Sequence, residues 1–472
     1  MTTIKFGTDG WRGLIAEDFT FDNVRLCARA VASYLHDSGL AARGLLVGYD
    51  TRFASEDFAA AVAEVTAAAE IKTYLCPRPA PTPVISYGIV ELGAGGAVII
   101  TASHNPGQWN GFKYKPEYAG SAPPEVTAEI EKHISALAGG SVDRIPLAEG
   151  MERGQIEYWD PAPPYLSHIA ELVDLDRLRR AGLKVAVDSM YGAGAGYLQG
   201  ILGGGTTQVL EINAERNPLF PGIQPEPIAQ HLGKLAALVG DSGADVGLAT
   251  DGDADRIGIL DEGGNFLTPL QVFALLVLYL LEVRGERGAI VKSMTSTSMV
   301  YRLGELFSVP VYEMPVGFKH IGPKMLEENA LVGGEESGGF GFRGHIPERD
   351  GLLSALYFLD LMVSLGKKPS ELISYLYDKV GPHYYQRLDI HFPGEEREAA
   401  TARIAAAKPS QIDGSRVTDL NTRDGFRFQL DDGSWLQLRL SGTEPILRIY
   451  AESNSRQRVE RLLAAGRELA GV

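Results

Sequence analysis

A serine stands at position 103 within TASHNP (101–106), directly after the apolar run AVII at 97–100 and ahead of a proline. A strand that runs into such a turn exposes the hydroxyl at its carboxyl end, where open α/β sheets carry their chemistry. His104 and Asn105 flank it with groups able to hydrogen-bond an oxyanion or a phosphate, and Lys113 follows in NGFKYK. A reactive serine is the first expectation. An ordinary strand-ending turn, for which Ser, Asn and Pro are equally suited, is the reading this segment leaves open.

A second segment, DGDADR at 251–256, sets Asp251, Asp253 and Asp255 two apart after the apolar run VGLA. Three carboxylates this close repel one another unless a cation sits among them, and hard oxygen ligands suit Mg²⁺ or Ca²⁺. An EF-hand is nearly matched, since Glu262 falls at loop position twelve. It is excluded because position six, which must be Gly for the sharp turn, is Arg256, and because VGLAT and RIGIL on either side read as strands. Near the end, RLSGTEP (439–445) offers the Arg439 guanidinium, the Ser441 and Thr443 hydroxyls and the backbone N–H groups around Gly442, with Arg448 close behind. Those groups suit a phosphate cradle, and equally an ordinary hairpin. GGEESGG (333–339) puts carboxylates and a hydroxyl on a glycine-rich loop, suited to sugar hydroxyls or to plain solvation.

The elements around these segments are those of an α/β protein. GLLVGYD (44–50), AVIITAS (97–103), KVAVDSMYGAG (184–194), DVGLATDGD (245–253) and GAIVKS (288–293) are apolar, β-rich runs that end in small or polar residues, separated by stretches of helical spacing. Repeated βα units with parallel or mixed sheets follow. The apolar run at 272–281 is too short to span a bilayer and reads as a buried helix. The last ninety residues or so differ: SWLQLRL (434–440) alternates Leu436, Leu438 and Leu440 with Trp435, Gln437 and Arg439, and the chain closes on an amphipathic helix at 455–470, which implies a small α+β domain.

A chain of 472 residues exceeds one core. Its 44 basic and 60 acidic residues, net −16, argue against nucleic acid or an acidic membrane surface as a partner, so an anionic substrate needs a local basic cleft. Cys27 and Cys76 are the only cysteines, which excludes a disulfide framework and a thiolate metal site. The opening MTTIKFGTDGWRG has no secretory pattern, and a cytoplasmic enzyme is expected.

The identity and order of the four segments, TASHNP with NGFK, then DGDADR, GEES and RLSGTEP, resemble the α-D-phosphohexomutase family of phosphoglucomutases, phosphomannomutases and phosphoglucosamine mutases. FGTDGWRG (6–13), VGYDTR (47–52), PTP (81–83), VGFKHIG (316–322) and ERDG (348–351) extend the likeness over nearly the whole chain. The resemblance implies four domains around a central cleft, three related α/β domains and a smaller, mobile α+β domain, divided here at 1–152, 153–264, 265–381 and 382–472. Each gives one loop to the site. It implies that Ser103 carries a phosphoryl group, that Ser103, Asp251, Asp253 and Asp255 hold Mg²⁺, and that a hexose 1,6-bisphosphate is both intermediate and activator. His104, Lys113 and Arg12 are the candidate phosphate or proton-transfer groups beside the serine, with the general acid and base left open. Glu335 and Ser337 match the sugar-hydroxyl contacts, Arg439, Ser441, Gly442, Thr443 and Arg448 the cradle of the non-reacting phosphate, and Arg256, Lys292 and Lys319 further phosphate contacts.

The expected reaction is interconversion of glucose 1-phosphate and glucose 6-phosphate by a monomer or weak homo-oligomer whose partners are small sugar phosphates. Phosphomannomutase or dual glucose and mannose activity is the alternative, and phosphoglucosamine mutase a further one. In the family GEES is usual in glucose-directed members, GEMSGH in dual enzymes and GEQSGH in glucosamine enzymes, whereas here Gly338 and Gly339 follow GEES. A metal-dependent phosphatase would share Ser103 and the Asp cluster but has no need of GEES or a second cradle; a catalytically silent sugar-phosphate sensor would not need Ser103.

Overall fold

The structure is a computed structural model that describes residues 4–7, 9–137, 139–392, 396–440 and 446–472. Its strands fall into four sheets. The first holds β1 (Trp11–Leu14), β2 (Leu45–Tyr49), β3 (Thr73–Leu75), β4 (Gly96–Ile100), β5 (Trp109–Pro116) and β6 (Ile156–Tyr158) in the order β1-β5-β4-β2-β3-β6. The second holds β7 (Lys184–Asp188), β8 (Gln208–Ile212), β9 (Val246–Thr250), β10 (Ile257–Leu260) and β11 (Phe266–Leu267) in the order β11-β10-β9-β7-β8. The third is β13-β12-β14-β15, made of β12 (Ile290–Ser293), β13 (Val311–Met314), β14 (Val332–Gly334) and β15 (Phe340–Phe342). β6 lies beyond the division expected at 152 yet pairs in parallel with β3, so the first sheet takes in residues on the far side of the glycine-rich segment at 150–154. That glycine segment is the turn after helix Leu147–Glu152, not a break between sheets.

The three sheets share one device. β4, β9 and β14 are each parallel to a neighbour on one side and antiparallel to the next strand in sequence on the other. The chain between the antiparallel partners is 101–108 in the first, 251–256 in the second and 335–339 in the third, so three of the chemically suggestive segments are equivalent hairpin connections. The central parallel strands β2, β4 and β9 are fully buried, as LLVGY, GAVII and VGLAT read. Close packing under β2 needs glycine at 48, where a Cβ would stand 2.4 Å from Ile85 Cδ1. The run at 272–281 is a buried helix, Pro269–Leu278, opened by a Thr268–Gln271 capping box and continued by a π turn.

The fourth sheet, β16 (Tyr384–His391), β17 (Gln411–Ile412), β18 (Ser415–Asn421), β19 (Phe426–Leu430), β20 (Trp435–Leu440) and β21 (Ile446–Ser453), has the order β16-β21-β20-β19-β18-β17. Helices Arg397–Ala407 and Arg456–Ala470 cover one face, where Leu436 and Leu438 join a core of their own. The face of Trp435 and Gln437 is buried too, because it is turned toward the third domain: Trp435 Nε1 donates to Glu452, which also accepts from the Ser298 N–H at 2.8 Å. The first three domains share one continuous apolar cluster, from which the fourth domain's core is separate.

Candidate active site

Ser103 is not exposed as the sequence suggests; it is 1 % accessible. The 251–256 hairpin of the second domain covers it, with Gly252 so near that a Cβ there would lie 2.4 Å from the Ser103 carbonyl oxygen. Ser103 has a left-handed backbone, φ +53°, which turns its side chain out of the strand line. Its Oγ donates to Asp251 Oδ2 at 2.9 Å and lies 3.3 Å from His104 Nδ1. Arg12 Nη1 donates to Asn105 Oδ1 at 2.6 Å, which places its guanidinium on the same loop.

Asp251, Asp253 and Asp255 are completely buried, and one oxygen of each lies within 4.8 Å of the others. Lys113 reaches them from β5, on which Phe112 and Tyr114 enter the first core while Lys113 and Lys115 project from the other side. Its Nζ lies 2.8 Å from Asp253 Oδ2, 3.4 Å from Asp255 Oδ2 and 2.7 Å from Asp9 Oδ2. Thr82 Oγ1, from the PTP segment, donates to Asp253 Oδ2 at 2.6 Å. Oδ1 of Asp253 and Oδ1 of Asp255 are buried without a hydrogen-bond partner. Converging hard oxygens, two of them unpartnered, fit a small divalent cation.

Burial and the two neighbouring carboxylates push Asp251 well above the usual carboxylate range, whereas Lys113 outweighs burial at Asp253 and holds it down. Lys113 is disfavoured by burial but held protonated by Asp253, Asp9 and Asp255. His104 is pushed well below its ordinary value by burial and then by Arg256, Arg12, Arg52 and Lys113, so the imidazole is neutral near pH 7. Arg256 donates its backbone N–H to Asp251 Oδ1, and its guanidinium lies 3.7 Å from Glu226 and 3.8 Å from Asp255.

The third domain supplies Glu335, whose Oε1 accepts the Gly317 N–H at 2.8 Å, and Ser337, whose Oγ is buried and unpartnered. Arg349 joins this loop to the other two. Its Nη2 lies 2.6 Å from Asp9 Oδ2 and 2.9 Å from Asp255 Oδ2, and its Nη1 3.7 Å from Glu335 Oε2. Its stem fills the space that a side chain at Gly339 would need, 2.3 Å from a Cβ built there. Lys115 closes the network, bonded to Asp9 at 2.9 Å and Glu348 at 2.5 Å. Asp9, Lys115, Glu348 and Arg349 were not singled out from the sequence. Lys115 has a usable signal, two residues from Lys113 on a strand; Asp9 lies in FGTDGWRG, and Glu348 and Arg349 in ERDG, segments that carry the family likeness without a role for these residues.

Of the cradle, Ser441, Gly442 and Thr443 lie outside the described residues. Arg439 Nε donates to Asp424 Oδ1 at 2.8 Å, and Asp424 Oδ2 accepts the Val316 N–H at 2.9 Å, which ties the arginine to the turn ahead of Gly317. Half-buried Lys319 faces Asp424, Arg439 and Asp9. Arg448 Nε lies 3.7 Å from Asp389. Lys292 stands apart from Ser103: its Nζ donates to Glu313 Oε2 at 2.9 Å, on a carboxylate shared with Arg427 of the fourth domain. The structure thus gathers Ser103, His104, Arg12, Lys113, the three Asp, Arg256 and Glu335 around one point, and sets Lys292 in the contact between the third and fourth domains.

Profiles of the phosphoglucomutase/phosphomannomutase family match residues 3–139 as alpha/beta/alpha domain I, 163–264 as domain II, 268–380 as domain III and 393–469 as the C-terminal domain. A phosphoglucomutase/phosphomannomutase of Thermococcus kodakarensis is 31 % identical over 98 % of each chain. A protein of Methanothermobacter thermautotrophicus, provisionally named phosphoglucosamine mutase, is 32 % identical over 96 % of this chain and 94 % of its own. The crystal structure of a protein from Thermus thermophilus, provisionally described as a phosphomannomutase, superposes over 100 % of both chains with a TM-score of 0.86 and 35 % identity. With family matches to all four of its domains, the chain belongs to the phosphoglucomutase/phosphomannomutase family, the α-D-phosphohexomutases, and is a mutase of the isomerase class.

Proposed function

We propose that this mutase interconverts hexose 1-phosphate and hexose 6-phosphate, glucose first, with Ser103 as the phosphoryl carrier. One observation carries the reading: the Ser103 hydroxyl is bonded to Asp251 inside a pocket of fixed charge drawn from three domains, while Arg439 belongs to a fourth. In the forward half-reaction the P–Oγ bond of phosphorylated Ser103 breaks as a P–O bond forms to the free hydroxyl of the sugar monophosphate, whose proton passes to a base at the cleft. The resulting 1,6-bisphosphate turns over in the cleft and returns its other phosphoryl group to Ser103.

Asp251, Asp253 and Asp255 would hold Mg²⁺, which offsets charge on the transferring group when bound. Lys113 and Arg256 add positive charge beside the same point, and Arg12 orients Asn105 next to the serine. Glu335 and the unpartnered Ser337 hydroxyl are placed for sugar hydroxyls, contacts that either orientation of the intermediate can remake. Arg439, with Ser441, Gly442, Thr443, Lys319 and Arg448, is the holder of the phosphate that is not reacting.

Glucose heads the ranking on the GEES loop, with mannose slower and glucosamine third; the relatives named above carry glucose, mannose and glucosamine in their names, so the C2 substituent is the point to test. A panel of glucose, mannose and glucosamine 1-phosphates, assayed with Mg²⁺ and a trace of hexose 1,6-bisphosphate, is expected to give the highest kcat/KM for glucose. A preference for either other sugar overturns the ranking. Release of inorganic phosphate at the rate of turnover replaces the mutase by a phosphatase.

A further inference from the structure

Arg52 is completely buried beneath the serine loop, and its guanidinium is engaged almost wholly with main-chain oxygens. Nη2 donates to the carbonyls of Ser103 and Asn105, each at 2.6 Å, and Nη1 to those of Pro106 at 2.9 Å and Trp109 at 3.0 Å. Nε donates to Asp50 Oδ2 at 3.1 Å. The same oxygen accepts from Thr101 Oγ1 at 2.6 Å, and Thr101 Oγ1 in turn accepts the Ser103 N–H at 2.9 Å. Both poles of the Ser103 peptide backbone are therefore tied into one closed circuit, N–H through Thr101 to Asp50, and C=O through Arg52 to Asp50. From the second domain, the Phe220 ring lies 4.9 Å beneath the guanidinium, and Arg216 Nε donates to the Thr51 carbonyl at 3.3 Å.

We propose that Arg52, with Asp50, is the positioning residue of the serine that carries the phosphoryl group, an inference that rests on the function proposed for Ser103. The circuit has a physical task. A non-glycine residue at φ +53° is strained and persists only where its surroundings over-determine it. Five donors in a rigid fork, aimed at four carbonyls and a carboxylate, over-determine it; the three donors of a flexible lysine cannot. None of those bonds enters the cleft, so Arg52 acts on the direction of Ser103 Oγ and not on substrate. A misplacement of about 1 Å at a reacting atom is worth about a hundredfold in rate.

The test uses Arg52→Lys and Thr101→Val in the full chain, with glucose 1-phosphate, Mg²⁺ and trace bisphosphate. Arg52→Lys is expected to lower kcat about a hundredfold and Thr101→Val about tenfold, both with KM within about threefold of wild type. In a single turnover, enzyme phosphorylated in advance should hand its phosphate to the sugar slower by the same factors, while the far-ultraviolet spectrum is unchanged. A folded Arg52→Lys protein with kcat within about twofold of wild type, or with its loss confined to KM, overturns the assignment. Where the lysine variant does not fold, Thr101→Val decides on the same criteria. Turnover retained by Ser103→Ala is a separate result, which removes the carrier itself and the role of Arg52 with it.

Discussion

Where the first three domains meet, Lys113, Lys115 and Arg349 are at most 6 % exposed and each faces two or more carboxylates. Where the third domain meets the fourth, Arg427 and Lys292 are buried on Glu313, but Arg387 and Arg423 keep 31 % and 55 % of their side chains in solvent, and a cavity of about 570 Å³ lies between the two, lined by Tyr301, Glu313, Arg427 and Glu452. Breaking one partner of a buried pair costs about 3–5 kcal/mol, because the other charge is left without water or counter-charge; solvated pairs are worth about 0–1 kcal/mol each. The first seam is a closed buried network, whereas the second joins one buried group, Lys292 and Arg427 on Glu313, to outer pairs that solvent can replace at small cost. That division suits the proposed reaction, in which the transferring phosphoryl group needs a fixed pocket and the other phosphate needs a holder that lets the bisphosphate turn.

The sharpest break of the comparison is at the fixed seam. Ser103→Ala should lower kcat by at least about a thousandfold while the fold survives, since only the bonds to Asp251 and His104 are lost, and intact-mass analysis of the wild type should find phosphoserine. Near-normal turnover by the alanine variant would move the carrier elsewhere. Asp253→Asn, which weakens the contacts of Lys113 and Thr82 as well as one ligand charge, should cost about a hundredfold in kcat and weaken Mg²⁺ binding measured by titration. Activity that survives exhaustive chelation in both proteins would sink the metal assignment.

At the outer seam the effects should be smaller and of another kind. Arg439→Ala should raise KM about ten- to a hundredfold, equivalent to roughly 1.5–3 kcal/mol for a charge-assisted contact, and increase dependence on added bisphosphate because the intermediate escapes sooner. Kinetics indistinguishable from wild type would make the turn a plain hairpin.

The last effect, on stability rather than on rate, concerns Glu313. Burial raises its carboxyl, but Lys292 and Arg427 outweigh that and hold it at about 2, below the ordinary 4.5; Lys292, buried and sharing the one carboxylate, is pushed down to about 8. A carboxyl whose folded value is lowered contributes stability in full above about pH 4.5 and loses it as pH falls toward 2, here on the order of 2–3 kcal/mol. Thermal denaturation of Glu313→Gln should therefore be less steeply pH-dependent than wild type between those limits. Parallel curves would show that the pair contributes nothing to docking of the fourth domain.

Legibility followed the range of the interactions. Strands such as GAVII and VGLAT, the helix at 269–278 and the closing amphipathic helix could be read from local patterns, since each depends on neighbours in sequence. Ser103, the three Asp and Arg439 stand out in the sequence because short motifs carry them, and the roles proposed for them remain the point of the tests above. The exposure of Ser103 was misjudged, because the hairpin that buries it comes from residues nearly 150 positions away. β6 was cut from its sheet for the same reason: its partner β3 lies some eighty residues earlier, and a glycine turn is the stronger local signal. Lys292 has the residue type of a phosphate contact, yet Glu313 on the adjacent strand takes its charge.

By itself the sequence determined the α/β class, the order of four loops and the chemical types on them, because periodicity and turn chemistry act over a few residues. Tertiary structure decided which charges face one another: that Asp9, Lys113, Asp253, Asp255 and Arg349 form one network, that Arg349 fills the space beside Gly339, and that Arg52 holds the serine from below. Coulomb energy depends on distance and burial, and residues at 9, 52, 113, 253 and 349 acquire those only when three separate sheets have folded and met.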